Sequence, residues 1–228
     1  MSQSQRPSQS QVTSVPRSTA IKFVKYMLNN SLSKIPIKRV DLTTHVLGGN
    51  SKAFSACLQQ AQEILLEIYG SKIVQIPNKT PPQYICVSTL DPASELEHTP
   101  AQKKNMSLLF LVLSFIFMKG GSINEEAIRQ FLKKLGISLN EPHNYFGNVK
   151  KLLTETYPKQ LYLSREKHVA EGKIEAEFLY SWGFRSEVEF PKKTVLALVA
   201  EILQKPAVCF GQQYQEIYGE ENVNMETD

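Results

Sequence analysis

Cysteine and histidine side chains are the first candidates for chemistry in this chain of 228 residues. The three cysteines, Cys57, Cys86 and Cys209, lie far apart, and neither they nor the four histidines form a Cys-x-x-Cys or His-x-x-x-His pair. Such pairs are typical of zinc sites, so the sequence predicts no metal site. The low, odd cysteine count fits a reducing compartment, and Cys57 and Cys86 fall at apolar positions typical of a core.

Sequence motifs for phosphate binding and covalent catalysis are also missing. Gly120-Gly121 is not followed by the Gly-Lys-Ser/Thr of a P-loop, and neither a nucleophile elbow nor a pair of catalytic carboxylates stands out. We therefore expect a protein that is not an enzyme and that needs no cofactor.

Basic side chains are the remaining candidates for a chemical role, and their distribution along the chain is uneven. The formal net charge is +4. Residues 1–40 hold seven basic side chains and no acid, whereas the segment after Gly211 holds five acids and no basic side chain. Two explanations stay open for these oppositely charged ends: separate contact surfaces, or solvated tails.

The first half of the chain has the element order of a winged helix. Apolar residues at a spacing of three and four predict a helix around 20–28 and a longer helix over 54–68. A short helix over 38–47 lies between them, after a strand-like segment at 35–37. The β-rich runs 72–76 and 84–88 predict a hairpin. A helix-turn-helix followed by such a hairpin is the winged-helix order.

The same order recurs in the second half. Residues 106–119 form a run that is apolar almost all round, which predicts a central, buried helix. Its apolar core, 108–118, is about half as long as a membrane span, so no membrane contact is expected. Ser122 and Glu125 have the spacing of a capping box that opens the next helix. The remaining predicted elements are a third helix over 145–157, a hairpin of strands 160–169 and 174–182, and a last helix over 192–203.

These elements predict a mainly α-helical protein with small β-hairpins, organised as two winged-helix modules in tandem. The last helix is expected to turn Val195, Leu198, Val199 and Ile202 inward. The predicted boundaries are a disordered tail (1–17), a first module (18–90), a linker (91–104), a second module with its C-terminal helix (105–205) and an acidic tail (206–228).

Six segments of the sequence carry a resemblance to a known family. They are Leu108–Gly120 with its paired leucines, Glu125-Glu126-Ala127-Ile128, Phe131–Ile137, Phe146–Thr154, Tyr162-Leu163, and Glu177-Phe178-Leu179 followed by Trp182-Gly183. In this order they resemble the MAGE homology domain over about Ala20 to Gln204, most strongly after Leu108. Tyr180-Ser181 interrupts the F-L-W-G motif of the family, and Phe184 occupies a position where proline is usual. In these departures the chain resembles the ancestral branch of the family, which is the MAGE-like non-SMC element of the Smc five–six chromosome complex.

The resemblance implies a set of partners and a place in the cell. The partners would be a kleisin-type subunit, a RING-type subunit, the Smc heads and DNA without sequence preference, in the nucleus and on chromosomes. Leu108 and Leu109, with Val112 and Phe115 on the same helix, would be the partner-binding residues. The alternative is that these side chains belong to the core, as most leucines on such a helix do.

Basic residues of the second module are the candidate DNA contacts. Lys150 and Lys151 fall on the polar side of the predicted third helix, and Arg165, Lys167 and Lys173 on or near the wing. Lysines there would neutralise phosphates without reading bases. The alternative is a solvated surface of mixed charge, because glutamates neighbour these positions in sequence. The third helix of the first module is poorer in basic residues and is expected to contact protein.

Three other functions compete with this adaptor role. One is a regulator of RING-type ubiquitin ligases acting outside the SMC complex. Another is a sequence-specific DNA-binding factor, which would need base-reading arginines or asparagines on a third helix, where this chain carries lysines. An enzyme ranks last, since no catalytic motif is present.

Overall fold

The computed structural model of this chain describes residues 15–90, 99–169 and 176–225. The chain divides into two units, Met1–Asp91 and Pro92–Asp228, each with its own core. The predicted fold class, mainly α-helical with small antiparallel sheets, is confirmed. Among the described residues, no helix is both long and apolar enough to cross a bilayer.

The first unit has the predicted winged-helix order. Its elements are α1 (Arg17–Ser31), β1 (Ile37–Lys38), α2 (Arg39–His45), a 3-10 turn (Ser51–Ala53), α3 (Phe54–Tyr69), β2 (Ser71–Gln75) and β3 (Gln83–Ser88). The strands form an antiparallel sheet in the order β1-β3-β2, in which Tyr84 of β3 faces both Ile37 and Gln75. Of the predicted tail 1–17, Arg17 belongs to α1, and residues 1–14 lie outside the described part of the chain.

Packing of α1 against α3 forms the core of the first unit. Phe23 and Met27 of α1 are fully buried, and the ring of Phe23 meets that of Phe54 edge-on at 5.8 Å between centroids. Cys57 on α3 and Cys86 on β3 are buried in this unit, as their apolar positions predicted. Burial raises the pKa of the Cys57 thiol, which disfavours the reactive thiolate.

The second unit repeats the order and adds helices after the wing. Its elements are α4 (Pro100–Met118), β4 (Ser122–Asn124), α5 (Glu125–Lys134), α6 (Val149–Lys151), a π-helical turn (Leu152–Thr156), α7 (Tyr157–Lys159), β5 (Leu163–His168), β6 (Glu177–Trp182), α8 (Phe184–Glu189), α9 (Lys192–Ile202), a 3-10 turn (Ala207–Cys209) and α10 (Gly211–Met225). The strands pair antiparallel in the order β4-β6-β5. Helix α4 is central, because seven of its residues are buried.

Capping residues move two predicted helix starts. Helix α4 begins at Pro100 because Thr99 and Gln102 form a capping box, so the end of the predicted linker 91–104 is helical. Ser122, the predicted cap of α5, lies instead in strand β4. The cap is Asn124, whose side-chain oxygen accepts a hydrogen bond from the amide of Ala127 at 2.9 Å.

The third helix of the second unit starts later than predicted and contains a π-helical turn. Asn148 caps it, and residues 145–148 lie in a loop that is closed by paired backbone hydrogen bonds between His143 and Gly147. The turn Leu152–Thr156 joins the short segments α6 and α7. The strands of the predicted second hairpin are present as the antiparallel pair β5 and β6, and its turn at 171–173 lies outside the described residues.

The segment 206–228 was predicted to be an acidic tail, but most of it forms helix α10. Tyr214, Ile217 and Tyr218 follow one another at helical spacing and pack on the core of the second unit. The buried Gln213 donates hydrogen bonds to the carbonyls of Phe117 and Met118, at 3.3 Å each. Both carbonyls belong to the last turn of α4, where no further turn of the helix supplies amide donors, and that of Phe117 also accepts from the amide of Gly120 at 3.1 Å.

The inward face of α9 also differs from the prediction. Val195, Leu196 and Ala200 are buried, whereas Leu198 is 38% and Ile202 65% exposed. The helix is rotated relative to its predicted orientation, which leaves part of its apolar face uncovered.

Gly183 ends strand β6 where two backbone segments meet closely. A Cβ atom at this position would lie 2.3 Å from the carbonyl oxygen of Leu161. The requirement for glycine is spatial, because the backbone angles of Gly183 are open to any residue (φ −86°, ψ 164°). The amide of Gly183 donates to the carbonyl of Tyr162 at 2.9 Å, which fixes the approach.

Candidate partner-binding and DNA-binding surfaces

The paired leucines of α4 are core residues in this conformation. Leu108, Leu109 and Val112 are 0% exposed, so the prediction that they contact a partner directly is wrong for the folded unit. Phe115 is partly buried and stacks on Phe131 with ring centroids 4.1 Å apart. Helix α4 is central and contacts neighbours on most sides. The indole N–H of Trp182 donates a hydrogen bond to the backbone carbonyl of Leu113 on this helix at 2.9 Å.

An apolar surface does stay open at α9 and the segment that follows it. Leu198, Ile202, Leu203 and Val208 are 38%, 65%, 52% and 62% exposed, and we call these four residues the α9 edge. On a helical wheel, Leu198 and Ile202 flank the buried stripe of α9, so sequence periodicity alone assigned them to the core. Large exposed aliphatic side chains that lie close together in sequence are candidates for a protein-binding surface.

Lys150 and Lys151 are exposed on α6, as predicted for DNA contacts. Lys150 also lines a cavity of about 210 Å³ whose wall includes Glu125, Arg129 and Tyr180. The charges around this cavity are mixed, so its walls give no strong preference for an anion. The two ammonium groups can nevertheless reach a phosphate backbone from the exposed side of the helix.

Arg165 is held by intramolecular contacts that compete with a phosphate. Its Nε donates to the hydroxyl of Tyr180 at 2.7 Å, and a terminal nitrogen lies 3.0 Å from a carboxylate oxygen of Glu125. Its guanidinium also lies 3.3 Å from the ring centroid of Phe178. Burial lowers the pKa of Arg165, but hydrogen bonds to Glu125 and Tyr180 outweigh it and leave the pKa raised. The predicted DNA-binding role of Arg165 is therefore corrected to a structural one.

Lys167 is the remaining described basic residue of the predicted DNA surface. It is exposed near the end of β5, with its ammonium 5.8 Å from the ring centroid of Phe178. Lys173 lies outside the described residues. Three of the five predicted DNA-binding side chains, Lys150, Lys151 and Lys167, thus lie exposed on the third helix and the wing.

A second buried polar network escaped the sequence prediction. Arg185 on α8 is 1% exposed, and it pairs with Glu189 at 2.8 Å and donates to the carbonyl of Gln160 at 2.9 Å. The other carboxylate oxygen of Glu189 accepts from the hydroxyl of Tyr162 at 2.8 Å. No hydrophobic periodicity marks α8, so only the lone arginine after Trp182-Gly183 hinted at this network.

One face of α3 in the first unit is lined by uncharged side chains, and we call it the α3 face. A cavity of about 370 Å³ lies against α3 and the sheet, lined by Ser55, Leu58, Gln59, Gln62, Ile73, Gln75 and Tyr84. Further along α3, Leu66 and Tyr69 are 53% and 48% exposed. A surface of amides and apolar side chains suits a protein contact better than a polyanion, as the sequence predicted.

Metal-ligating side chains do not converge in the part of the chain that the structure describes. No group of three or more His, Cys, Asp or Glu residues there is placed to hold a metal ion.

Comparison with known proteins places these surfaces in a family context. The family model described as the MAGE homology domain matches residues 23–193. The human protein named non-structural maintenance of chromosomes element 3 homolog is 33% identical over 201 residues, which cover 87% of this chain and 65% of that protein. The mouse protein of the same name is also 33% identical, and the match covers 71% of its length. Human melanoma-associated antigen D2 is 33% identical as well, but the match covers 32% of it.

A solved structure shares the fold over nearly its whole chain. It is a chain of a structure entitled "Nse1-Nse3-Nse4 complex", with a TM-score of 0.81 and 31% identity, and the match covers 88% of this chain and 96% of that chain. The present chain spans somewhat less than two thirds of its human relative.

Proposed function

This chain belongs to the MAGE homology domain family, and from that premise we propose that it is a non-catalytic adaptor of an SMC-type chromosome maintenance and DNA repair complex. The observation that carries the proposal is the match to the chain of the Nse1-Nse3-Nse4 complex, which extends over 96% of that chain. Its proposed partners are a kleisin-type subunit, a RING-type subunit, the Smc heads and DNA, on chromosomes in the nucleus.

The α9 edge is the proposed docking surface for the kleisin-type subunit. A partner helix that placed a few apolar side chains on Leu198, Ile202 and Val208 would bury area that is now exposed to water. A few such anchors supply most of the affinity in helix-in-groove complexes. Leu108, Leu109 and Val112 support this surface indirectly, because they form the core on which the second unit is built.

The α3 face of the first unit is the proposed contact for the RING-type subunit. Its amides can pair with backbone groups of a partner, and Leu66 and Tyr69 offer apolar area beside them. Tyrosine is enriched in protein interfaces because it combines a large apolar ring with a hydroxyl group.

DNA contact is proposed for Lys150, Lys151 and Lys167 of the second unit. Lysine ammonium groups neutralise phosphates as point charges, so the binding would be salt-sensitive and independent of sequence. The absence of Arg165 from this set follows from its pairing with Glu125 and Tyr180.

Affinity capture of the tagged full chain from nuclei, followed by mass spectrometry, tests the assignment. We expect a kleisin-type subunit, a RING-type subunit and Smc proteins in stoichiometric amounts. Recovery of a well-folded chain with none of these would contradict the proposal.

A second candidate is a regulator of RING-type ubiquitin ligases outside the SMC complex. The match to melanoma-associated antigen D2 favours it, although that match covers a third of the relative's length. Size fractionation of nuclear extract discriminates the two: co-migration of most of the chain with Smc proteins supports the adaptor, and a separate pool with a RING protein supports the regulator.

A further inference from the structure

Positive charge is concentrated in the first unit, not in the unit that carries the predicted DNA contacts. Residues 1–91 contain ten basic and four acidic side chains, a formal charge of +6. Residues 92–228 contain 16 basic and 18 acidic side chains, a formal charge of −2. The whole net charge of +4 therefore originates in the first unit, and a polyanion is attracted there at long range.

Part of this charge lies on the first unit's opening helix. Lys22 and Lys25 are exposed on the face of α1 that points away from the buried Phe23 and Met27, and Arg17 is exposed in the first turn of the helix. Lys38 is exposed on the short strand that follows. We call these four residues the α1 basic face.

The charges of the α1 basic face are not neutralised within the described part of the first unit. The ion pairs recorded for the described residues, such as Arg129–Glu126 and Lys192–Glu216, belong to the second unit. Between residues 15 and 62 the sequence has seven basic residues against one acid, Asp41. Burial is the main cause that raises the pKa of Tyr26, and the negative charge of Asp41 is the second cause.

We infer that the α1 basic face binds the phosphate backbone of nucleic acid. The inference rests on the proposed DNA binding of this chain, but it assigns the larger part of the electrostatic attraction to the first unit. Binding would use the opening helix instead of α3 and the wing, because the outward side of α3 carries Glu63 and Glu67 as well as uncharged residues. Ser18 and Asn29, also exposed on α1, add hydrogen-bond donors of the kind that contact phosphates.

The spacing of the charges favours nucleic acid over an acidic protein. From Arg17 to Lys25 the helix rises by eight steps, about 12 Å at 1.5 Å per residue. A DNA duplex presents about seven phosphate charges over that length, because its charge spacing is about 1.7 Å along the axis. Several phosphates therefore lie within reach of Lys22 and Lys25 at once.

Salt-dependent DNA binding by the full chain tests the inference. Fluorescence anisotropy with a 30-bp duplex of mixed sequence gives the slope of log K against log salt concentration. Lys22→Gln/Lys25→Gln/Lys38→Gln should reduce the magnitude of that slope by about two to three, since each neutralised phosphate contributes about 0.9. Affinity near 100 mM salt should fall about 100- to 1000-fold, because a slope smaller by two to three lowers log K by about two to three at that concentration relative to 1 M salt.

Two further triple variants carry the same change of charge. Lys103→Gln/Lys133→Gln/Lys134→Gln alters exposed lysines of the second unit outside the proposed DNA surface, and it should leave the slope nearly unchanged. Lys150→Gln/Lys151→Gln/Lys167→Gln tests the second unit's own contacts and should reduce the slope less than the first-unit variant does. Circular dichroism confirms that each variant is folded.

Each outcome decides between the two assignments of DNA contact. A slope reduced by the 150/151/167 variant alone overturns the inference and leaves the proposed DNA surface of the second unit standing. Equal reductions of the slope in all three variants would mean that only the net charge matters, and this result would also overturn the inference. Wild-type protein that does not bind DNA removes both assignments, and loss of an acidic protein partner with unchanged DNA binding would reassign the α1 basic face to that partner.

Discussion

At the scale of single residues, burial separates side chains of one type into different roles. Leu108 and Leu109 are fully buried on α4, whereas Leu198 on α9 is more than a third exposed. Arg165 and Lys167 stand two positions apart on β5, yet the first is engaged by Glu125 and Tyr180 and the second faces solvent. A substitution at each class of position therefore has a different expected consequence.

Leu109→Ala should destabilise the second unit without touching any binding surface. Removing most of a fully buried leucine side chain leaves a cavity, and such changes cost about 2–5 kcal/mol. Thermal or urea denaturation measures the loss. Partner binding should fall only at temperatures where the unit begins to unfold. Normal stability combined with lost binding would contradict the assignment of Leu109 to the core.

Buried tyrosines make the second unit sensitive to alkali. Burial, followed by the charge of Glu125, raises the pKa of Tyr180 to about 12, and burial also raises the pKa of Tyr157 and Tyr162. The unfolded chain loses these protons near pH 10, before the folded chain does. Their contribution to stability is therefore complete below pH 10 and declines as the pH rises toward 12.

Urea denaturation between pH 8 and 11.5 measures this decline, and Tyr180→Phe should make it shallower because one of the shifted titrations is gone. Tyr180→Phe also removes a hydrogen-bond acceptor of Arg165, so its midpoint should be lower at neutral pH. The matched variant Tyr145→Phe changes a half-exposed tyrosine of the same unit and should keep the wild-type slope. An identical pH slope for Tyr180→Phe and wild type would refute the role of Tyr180.

At the scale of secondary-structure elements, helix ends decide where the fold departs from sequence periodicity. Thr99, Asn124 and Asn148 each cap a helix with a side-chain hydrogen bond, and the starts of α4 and of the third helix of the second unit differ from those that the apolar pattern suggested. At the other end of α4, Gln213 reaches across from α10 and caps it. Such long-range caps depend on tertiary structure.

Gln213→Ala should weaken the attachment of α10 to α4. The carbonyl of Met118 would lose its donor, whereas that of Phe117 keeps the amide of Gly120 at 3.1 Å, and a carbonyl left without a donor in a buried position costs about 1–3 kcal/mol. Hydrogen exchange should show faster opening of α10 than of α5. The neighbouring exposed Gln212→Ala serves as the control, and equal exchange in both variants would exclude a capping role for Gln213.

Local pattern was sufficient for the elements of both winged helices, because α3, α4 and the paired strands carry strong periodicity or long apolar runs. It failed for α8 and α10. Helix α8 is six residues long and is held by the buried Arg185, and α10 has few apolar residues, of which Tyr214 and Ile217 pack on the core. The site prediction failed at Leu108, Leu109 and Arg165 for the same reason, since burial and pairing depend on residues far away in sequence.

At the scale of the whole molecule, the two units divide the chemistry between them. The first unit carries the net positive charge and the uncharged α3 face, and the second carries the α9 edge and the exposed lysines of its third helix. Each surface can be altered separately, because the residues that form it belong to a single unit. An adaptor that gathers several partners requires such separable surfaces.

Leu198→Glu/Ile202→Glu should abolish capture of the kleisin-type subunit and leave the fold intact. Both side chains are exposed, so the effect on unfolding free energy should stay within about 1 kcal/mol, whereas charges placed in an apolar interface remove its main anchors. Co-purification measures the loss, and DNA affinity should change less than binding of that subunit. The control Ala197→Glu adds a charge at the opposite edge of the exposed face of α9 and should retain the partner. Undiminished capture by the double variant would sink the assignment of the α9 edge.

The close passage of Gly183 over Leu161 has a practical consequence for genetics. Gly183→Ala adds one carbon, yet that carbon would meet a backbone oxygen, so the strand end must shift and the second unit should lose several kcal/mol of stability. The chain with this single change should be folded at low temperature and should lose its folded population when warmed. Such a conditional allele would deplete the folded protein on warming while the side chains of the proposed docking surfaces keep their identity.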